Sequence, residues 1–316
     1  MHTRHIGGPH GTPVGAVGLG CMGMSYAYDP AGRDDATSTA VLHRALDLGA
    51  NLLDTADVYG PHTNEELVGR ALTGRRDRAF LATKAGFVAG GSRLRRDGRP
   101  AHIRAAVDAS LRRLRTDHVD LYQLHRVDPE VPLEETWGAM AETVRAGKAR
   151  HLGLSDVSVE QVRRAARVHP VAAVQAELSL WTRDTTAELL PFTEREGIAL
   201  IAYAPLGRGF LAGRFTAAAD VPDGDYRRHN PRFTDGSFAA NLRLLDAVRA
   251  VARRRGRTPA QTALAWVLAR GPHVIPIPGT KNPGYLHDNV AAADVRLHDD
   301  DLALLDALPA ATGARQ

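Results

Sequence analysis

The chain has 316 residues, 44% hydrophobic and 24% charged, values that exclude a disordered or fibrous protein. A net charge of only +4 excludes a strongly basic nucleic-acid binder, and no apolar run reaches the roughly 18 residues of a membrane span. One cysteine, Cys21, excludes an intrachain disulfide, and Met1-His2-Thr3-Arg4-His5 lacks a signal-peptide core, so the expected location is cytoplasmic.

In chain order, Val14–Leu19 is the first strand-like apolar run. The stretch Gly18-Leu19-Gly20-Cys21-Met22-Gly23 matches the Gly-x-Gly-x-x-Gly dinucleotide fingerprint, which must open a helix at once. Here it runs into Met24-Ser25-Tyr26-Ala27-Tyr28-Asp29-Pro30, and helical character begins near Asp35, so a Rossmann domain is rejected. Asn51–Asp54 is the second strand, followed by Thr63-Asn64-Glu65-Glu66, which reads as a capping box opening a helix with Leu67, Val68 and Leu72. Ala79–Thr83 is the third strand, followed by Ile103, Val107, Leu111 and Leu114 at helical spacing. Val119–Leu124 precedes a helix from Leu133 to Ala146, closed by Gly147. His151–Leu154 is followed by a capping box at Ser158–Gln161, and strands at Ala172–Gln175 and Ala199–Tyr203 come next. Residues 214–241, rich in Gly, Pro and Asp, read as a long loop after the seventh strand and a candidate lid. Thr258-Pro259-Ala260-Gln261 opens another helix, and Val274–Ile277 is the eighth strand.

Alternating strands and helices imply parallel pairing, because each parallel connection needs a crossover. No linker divides the chain. The expectation is a single α/β domain over residues 1–316, a (β/α)8 TIM barrel with its chemistry at the C-terminal strand ends.

Those ends carry Asp54 and Tyr59 after the second strand, Lys84 after the third and His125 after the fourth. Lysine is scarce, occurring only at 84, 148 and 281, so its place at a strand end is informative. Reducing a carbonyl needs hydride at carbon and a proton at oxygen. A phenol holds its proton at neutral pH, with a pKa near ~10, and a neighbouring ammonium lowers that value. A carboxylate keeps the ammonium charged and placed, and an imidazole donor holds the carbonyl oxygen. Each residue type has ordinary structural uses alone; the ordered set on successive strand ends carries the argument. His5, His10 and His62 have no metal-ligand spacing, so no metal is expected, and the arginine clusters Arg75–Arg76 and Arg253–Arg255 read as solvated faces.

Asp54-Thr55-Ala56 with Tyr59-Gly60, Thr83-Lys84 and Asp120-Leu121-Tyr122-Gln123-Leu124-His125 resemble the aldo-keto reductase superfamily. So do Gly147-Lys148-Ala149-Arg150, Gly153-Leu154-Ser155, Val174-Gln175, Tyr203-Ala204-Pro205-Leu206-Gly207 and Ile277-Pro278-Gly279-Thr280-Lys281 with Asp288-Asn289. The resemblance runs from about Val14 to Leu308 and is nearest the bacterial and plant branch of perakine- and pyridoxal-type reductases. It implies an NADPH-dependent oxidoreductase, with NADH as a possible substitute, that reduces an aldehyde or ketone with Tyr59 as general acid. Ser155 and Gln175 are then implied at the carboxamide and Tyr203 against the nicotinamide, with Gly20 and Met22 at that end of the cleft. Pro205, Leu206, Gly207 and Gly209 are implied along the pyrophosphate, Gly279, Thr280 and Lys281 at the 2′-phosphate, and Asp288 and Asn289 at the adenine.

The chain departs from the family pattern at Asp156, where asparagine is frequent, and at Asn282, Pro283, Gly284 and Tyr285, where arginines are frequent. Substrate-contacting candidates are Met24, Tyr26, Tyr28, Phe87, Arg126 and Phe210. The implied partner is a small carbonyl compound rather than a nucleic acid or a membrane. Two other readings share the fold: a Schiff-base aldolase using Lys84, and a cofactor-binding regulatory subunit.

Overall fold

The computed structural model describes residues 2–90 and 93–315. Eight parallel strands form one sheet in chain order. They are β1 (Leu19–Gly20), β2 (Leu52–Asp54), β3 (Phe80–Ala85), β4 (Val119–Leu124), β5 (Ala149–Ser155), β6 (Ala173–Glu177), β7 (Ala199–Tyr203) and β8 (Val274–Pro276). The sheet curls until its edges meet: the Gly18 amide donates to the Pro276 carbonyl at 2.9 Å, and Gly20 bridges Gly279. The expected (β/α)8 barrel is therefore present. Every residue of β2, β3, β4, β6 and β8 is buried. That is why these runs lack polar alternation, since both of their faces are covered.

Two glycines allow the closure. A Cβ on Gly18 would lie 2.9 Å from the Leu52 carbonyl oxygen, and one on Gly20 would lie 2.9 Å from that of Ile277. The Gly-x-Gly-x-x-Gly run thus serves backbone-to-backbone approach, and only a short 3-10 turn, Met22–Met24, follows it.

The helices are α1 (Asp35–Asp47), α2 (Thr63–Ala71), α3 (Pro100–Leu114), α4 (Leu133–Arg145), α5 (Val159–Ala166), α6 (Leu189–Arg195), α7 (Asp235–Arg255), α8 (Pro259–Leu268), α9 (Pro283–Ala291) and α10 (Asp299–Asp306). Their apolar faces join the outer core, as Ile103, Val107, Leu111 and Leu114 of α3 do. An inner core of Leu52, Phe80, Leu121, Ile201 and Ile275 fills the barrel, and Ile6 and Val14 complete it. Those two belong to an antiparallel hairpin, Thr3–Ile6 with Thr12–Gly15. The hairpin covers the N-terminal end of the barrel and leaves the C-terminal strand ends as the mouth.

Several expectations change. The run Val14–Leu19 is not one strand: Thr12–Gly15 pairs in the hairpin, and the barrel strand begins at Leu19. Val14 to Leu19 are all buried, so hydrophobicity does not mark the break. Ser158–Gln161 and Thr258–Gln261 are reciprocal capping boxes, but Thr63 is not a cap. His62, at φ 71°, holds that position. Glu65 instead accepts from the Thr83 hydroxyl at 2.5 Å and the Arg113 guanidinium at 2.7 Å. Glu66, three residues after Thr63 and the carboxylate such a box uses, is exposed, and no side chain caps this helix end. Residues 214–241 are not a bare loop: 3-10 turns occupy Ala218–Asp220, Tyr226–His229 and Pro231–Phe233, and α7 begins at Asp235.

Candidate active site

The β2 end and the turn after it place Asp54 and Tyr59. Gly60 follows at φ 81°, where a Cβ would collide with the Thr63 hydroxyl, so the turn behind Tyr59 calls for glycine. Asn64 holds this turn against the loop after β1: its side-chain amide donates to the Cys21 carbonyl at 2.9 Å and the Ser25 hydroxyl at 2.7 Å.

Lys84, at the end of β3, is fully buried. Its ammonium donates to Asp54 Oδ1 at 2.6 Å and to the Thr55 carbonyl at 2.8 Å, and lies 5.1 Å from the centre of the Tyr59 ring. Asp54 Oδ2 accepts from the Gln175 amide at 2.8 Å and the Gln123 amide at 3.1 Å. His125 meets Tyr59 edge-on at 5.9 Å between ring centres and Phe87 at 5.0 Å. The four residues singled out in the sequence therefore converge.

Burial opposes the charge on Lys84, but Asp54 and Tyr59 more than offset it and hold the ammonium above its usual pKa. Burial pushes the Tyr59 phenol above its usual value, and the Lys84 charge only partly draws it back. The lysine thus limits a rise rather than producing the net lowering expected. Burial, with the charges of Lys84 and Arg126, holds His125 well below the usual histidine pKa, so its ring is neutral at pH 7. His125 Nδ1 is buried without a partner. Burying a bare lone pair there is easier than burying an orphan N–H. That favours the tautomer with its proton on Nε2.

A cavity of about 1350 Å³ extends from these residues. Its lining includes Asp54, Tyr59 and His125, and also Thr280, Lys281, Asn282, Asp288 and Asn289. Gly20, Met22, Ser155, Gln175, Tyr203, Pro205, Leu206, Gly209 and Gly279 line it as well. Of the implied cofactor contacts, only Gly207 is not on the lining; it packs against Trp181. The hydroxyl, amide and ammonium donors of Thr280, Asn282, Asn289 and Lys281 suit a phosphorylated nucleotide. Lys281 already donates to the Asp29 carbonyl at 2.9 Å and its carboxylate at 3.2 Å, so a phosphate there shares the ammonium with Asp29.

Tyr26, Tyr28, Phe87 and Arg126 line the cavity as expected of substrate contacts. Met24 and Phe210 do not. Met24 is 1% exposed in the outer core, and Phe210 is wholly buried against Trp181, with ring centres 4.5 Å apart. Arg126 is also not a free cation: it pairs with Asp156 at 2.5 Å and donates to the Ser155 hydroxyl at 3.1 Å. Asp156 accepts from the Tyr203 hydroxyl at 2.9 Å.

Sequence reasoning missed Gln123, the Arg208–Glu177 pair and Leu94. Gln123 lay inside the motif quoted for His125, and a polar residue within a buried parallel strand was the available signal. Glu177, at the end of β6, grips Arg208 through two bonds of 3.0 and 3.1 Å. Leu94 lines the cavity from a hairpin, Phe87–Gly90 with Arg93–Arg96, whose arginine-rich second strand has no apolar signature. Among the described residues, no group of three or more His, Cys, Asp or Glu side chains is placed to hold a metal ion.

A closed barrel with a buried acid–ammonium pair beneath a phenol and an imidazole defines a class of carbonyl-processing barrel enzymes. The profile of the Aldo/keto reductase family matches residues 16–310, and the chain belongs to that family. It is 41% identical over 304 residues to the aldo-keto reductase yakc [NADP(+)] of Schizosaccharomyces pombe, covering 94% of this chain and 88% of that one. It superposes on the glycerol dehydrogenase AKR11B4 of Gluconobacter oxydans with TM-score 0.87 at 35% identity, covering 96% and 94% of the two chains. It also superposes on the aldo/keto reductase of Klebsiella pneumoniae in complex with NADP and acetate, with TM-score 0.75 at 31% identity, covering 96% and 95%. No helix of the described residues is long and apolar enough to cross a membrane.

Proposed function

We propose that this protein is an NADPH-dependent oxidoreductase that reduces an aldehyde or ketone to an alcohol, with Tyr59 as the general acid. The observation that carries the reading is the Asp54–Lys84 pair, 2.6 Å apart, beneath a Tyr59 that faces a cavity reaching to Lys281. Names among the relatives support it, since one is specified for NADP(+) and another was solved with NADP.

Ser155, Gln175, Tyr203, Pro205, Leu206, Gly209, Thr280, Lys281 and Asn289 would hold the cofactor, which supplies the hydride when bound. Tyr59 gives its proton to the carbonyl oxygen, and the Lys84 ammonium stabilises the phenolate that results. Asp54 keeps Lys84 charged and aimed. Neutral His125 donates from Nε2 to the same oxygen and stabilises its developing charge. Tyr26, Tyr28, Phe87 and Arg126 shape the substrate end. Cytoplasm suits the reading, because a lone thiol such as Cys21 stays reduced there. Its partner is a small carbonyl compound.

The rival barrel chemistry fits less well. A Schiff base requires an amine that meets substrate, whereas Lys84 is wholly buried with two protein acceptors and is not on the cavity lining. The test is consumption of NADPH across an aldehyde and ketone panel. Tyr59→Phe is expected to lower kcat by at least about a hundredfold while the Kd for NADPH stays near that of the parent. Retained turnover in that variant refutes Tyr59 as the acid.

A further inference from the structure

Around the Tyr203 hydroxyl lies a cluster of charges that takes no part in the proton transfer. Asp156, in the left-handed region at φ 49°, presents one carboxylate oxygen to the Tyr203 hydroxyl and to Arg126. Arg315 approaches that same oxygen at 3.6 Å, and its Nε lies 3.7 Å from Glu177. Glu177 is in turn held by Arg208. Two acids and three arginines leave one unit of positive charge in this group.

Arg315 is brought there by a built connection. The Thr312 amide donates to Asn241 at 2.8 Å, and the Asn241 amide returns to the Thr312 carbonyl at 3.0 Å. Arg232 donates to the Gly313 carbonyl at 3.2 Å, and Asn230 to that of Arg315 at 3.1 Å. Gly313 turns at φ 94°, and a Cβ there would lie 2.8 Å from the Pro231 carbonyl oxygen. The segment from 312 to 315 is therefore locked to residues 230–232 and to Asn241 of α7.

We propose that Arg315 and Asp156 are positioning residues whose opposed charges set the relative affinity of the site for oxidised and reduced cofactor. The inference rests on the reading of Tyr203 as the face that meets the nicotinamide. The oxidised ring carries a positive charge that the reduced ring lacks, so the charge around the Tyr203 hydroxyl acts on one form and not on the other. At a separation on the order of 10 Å and an effective dielectric of ~20, one unit of charge changes such a ratio by roughly tenfold or more.

The test measures equilibrium Kd values for NADP+ and NADPH, by fluorescence or calorimetry, without substrate. Removing the arginine by Arg315→Met leaves the group neutral and is expected to lower the ratio Kd(NADP+)/Kd(NADPH) by about tenfold. Asp156→Asn leaves it doubly positive and is expected to raise the ratio by a similar factor. The double variant restores the parent's net charge and its ratio, and Arg315→Lys keeps the parent's ratio. Lost packing would instead weaken both ligands together. A ratio that stays constant in both single variants, or moves the same way in both, overturns the proposal while leaving the cofactor reading intact. Failure of the parent protein to bind either nucleotide overturns the cofactor reading and this inference with it.

Discussion

Asp54 shows how much a single side chain organises here: one oxygen holds Lys84, and the other gathers Gln123 and Gln175 from two further strands. A second acid nearby behaves differently. Asp57, three residues on, is buried with one oxygen unpartnered, and burial together with Glu65 pushes its carboxyl up to about 8. An unfolded aspartate titrates near ~3.9, so the folded chain holds this proton much more tightly. The resulting stability is fully present below the unfolded value, declines as pH rises, and is gone by about pH 8. Asp57→Asn is expected to flatten the fall of unfolding free energy between those limits, as measured by urea titration. Parallel curves for parent and variant reject this. The catalytic set was legible because scarce lysine and a phenol recur at strand ends. Phe210 was misjudged because an aromatic beside Gly209 looks the same in sequence whether it faces the cleft or Trp181. Arg315 carried no local pattern, since its partners Asp156 and Glu177 lie at the ends of strands distant in sequence.

Most strands could be read from the sequence because burial on both faces leaves a continuous apolar run. The first could not be placed, because the covering hairpin and β1 share one apolar stretch. The hairpin over the mouth was missed for the opposite reason: Arg93–Arg96 looks like solvated surface. Glycine is the element-level device that closes the barrel. Gly18→Ala pushes a methyl group against the Leu52 carbonyl and the Ile277 side chain, and is expected to cost roughly 1–3 kcal/mol. A lowered thermal midpoint beside a control Gly138→Ala, where a Cβ meets nothing within 4 Å, is the measurement. Equal midpoints for the two variants dispose of the closure argument.

For the molecule as a whole, cofactor binding and folding are linked. A ligand at a hundred times its Kd adds about 2.7 kcal/mol to the stability of the state that binds it. In a chain this long, that is a rise in thermal midpoint of about 4 °C. NADPH is expected to give the larger rise at equal concentration, and Lys281→Ala to bring it down to the level of NADH. Equal rises for the two nucleotides in the parent argue against Lys281 as a phosphate contact. Barrel, mouth and catalytic rim were visible in the order of the strands. The crossing that joins residues 225–226 and 281 to residues 27–29 was not, because its members lie far apart in the chain and two of its acceptors, the Ala27 and Asp29 carbonyls, are backbone groups.

That crossing bears on the speed of the cycle. The Tyr226 amide meets the Ala27 carbonyl at 3.0 Å, the Asp29 amide meets Asp225 at 2.7 Å, and Lys281 meets Asp29. A nucleotide bound along the cavity that Asp29, Tyr226 and Lys281 line meets these ties, and exit that requires them to part competes with chemistry as the slow event. Rapid mixing is expected to show a first turnover faster than the steady state, with an amplitude near one per chain. Weakening the tie through Asp225→Ala is expected to raise the steady rate and leave the initial one alone.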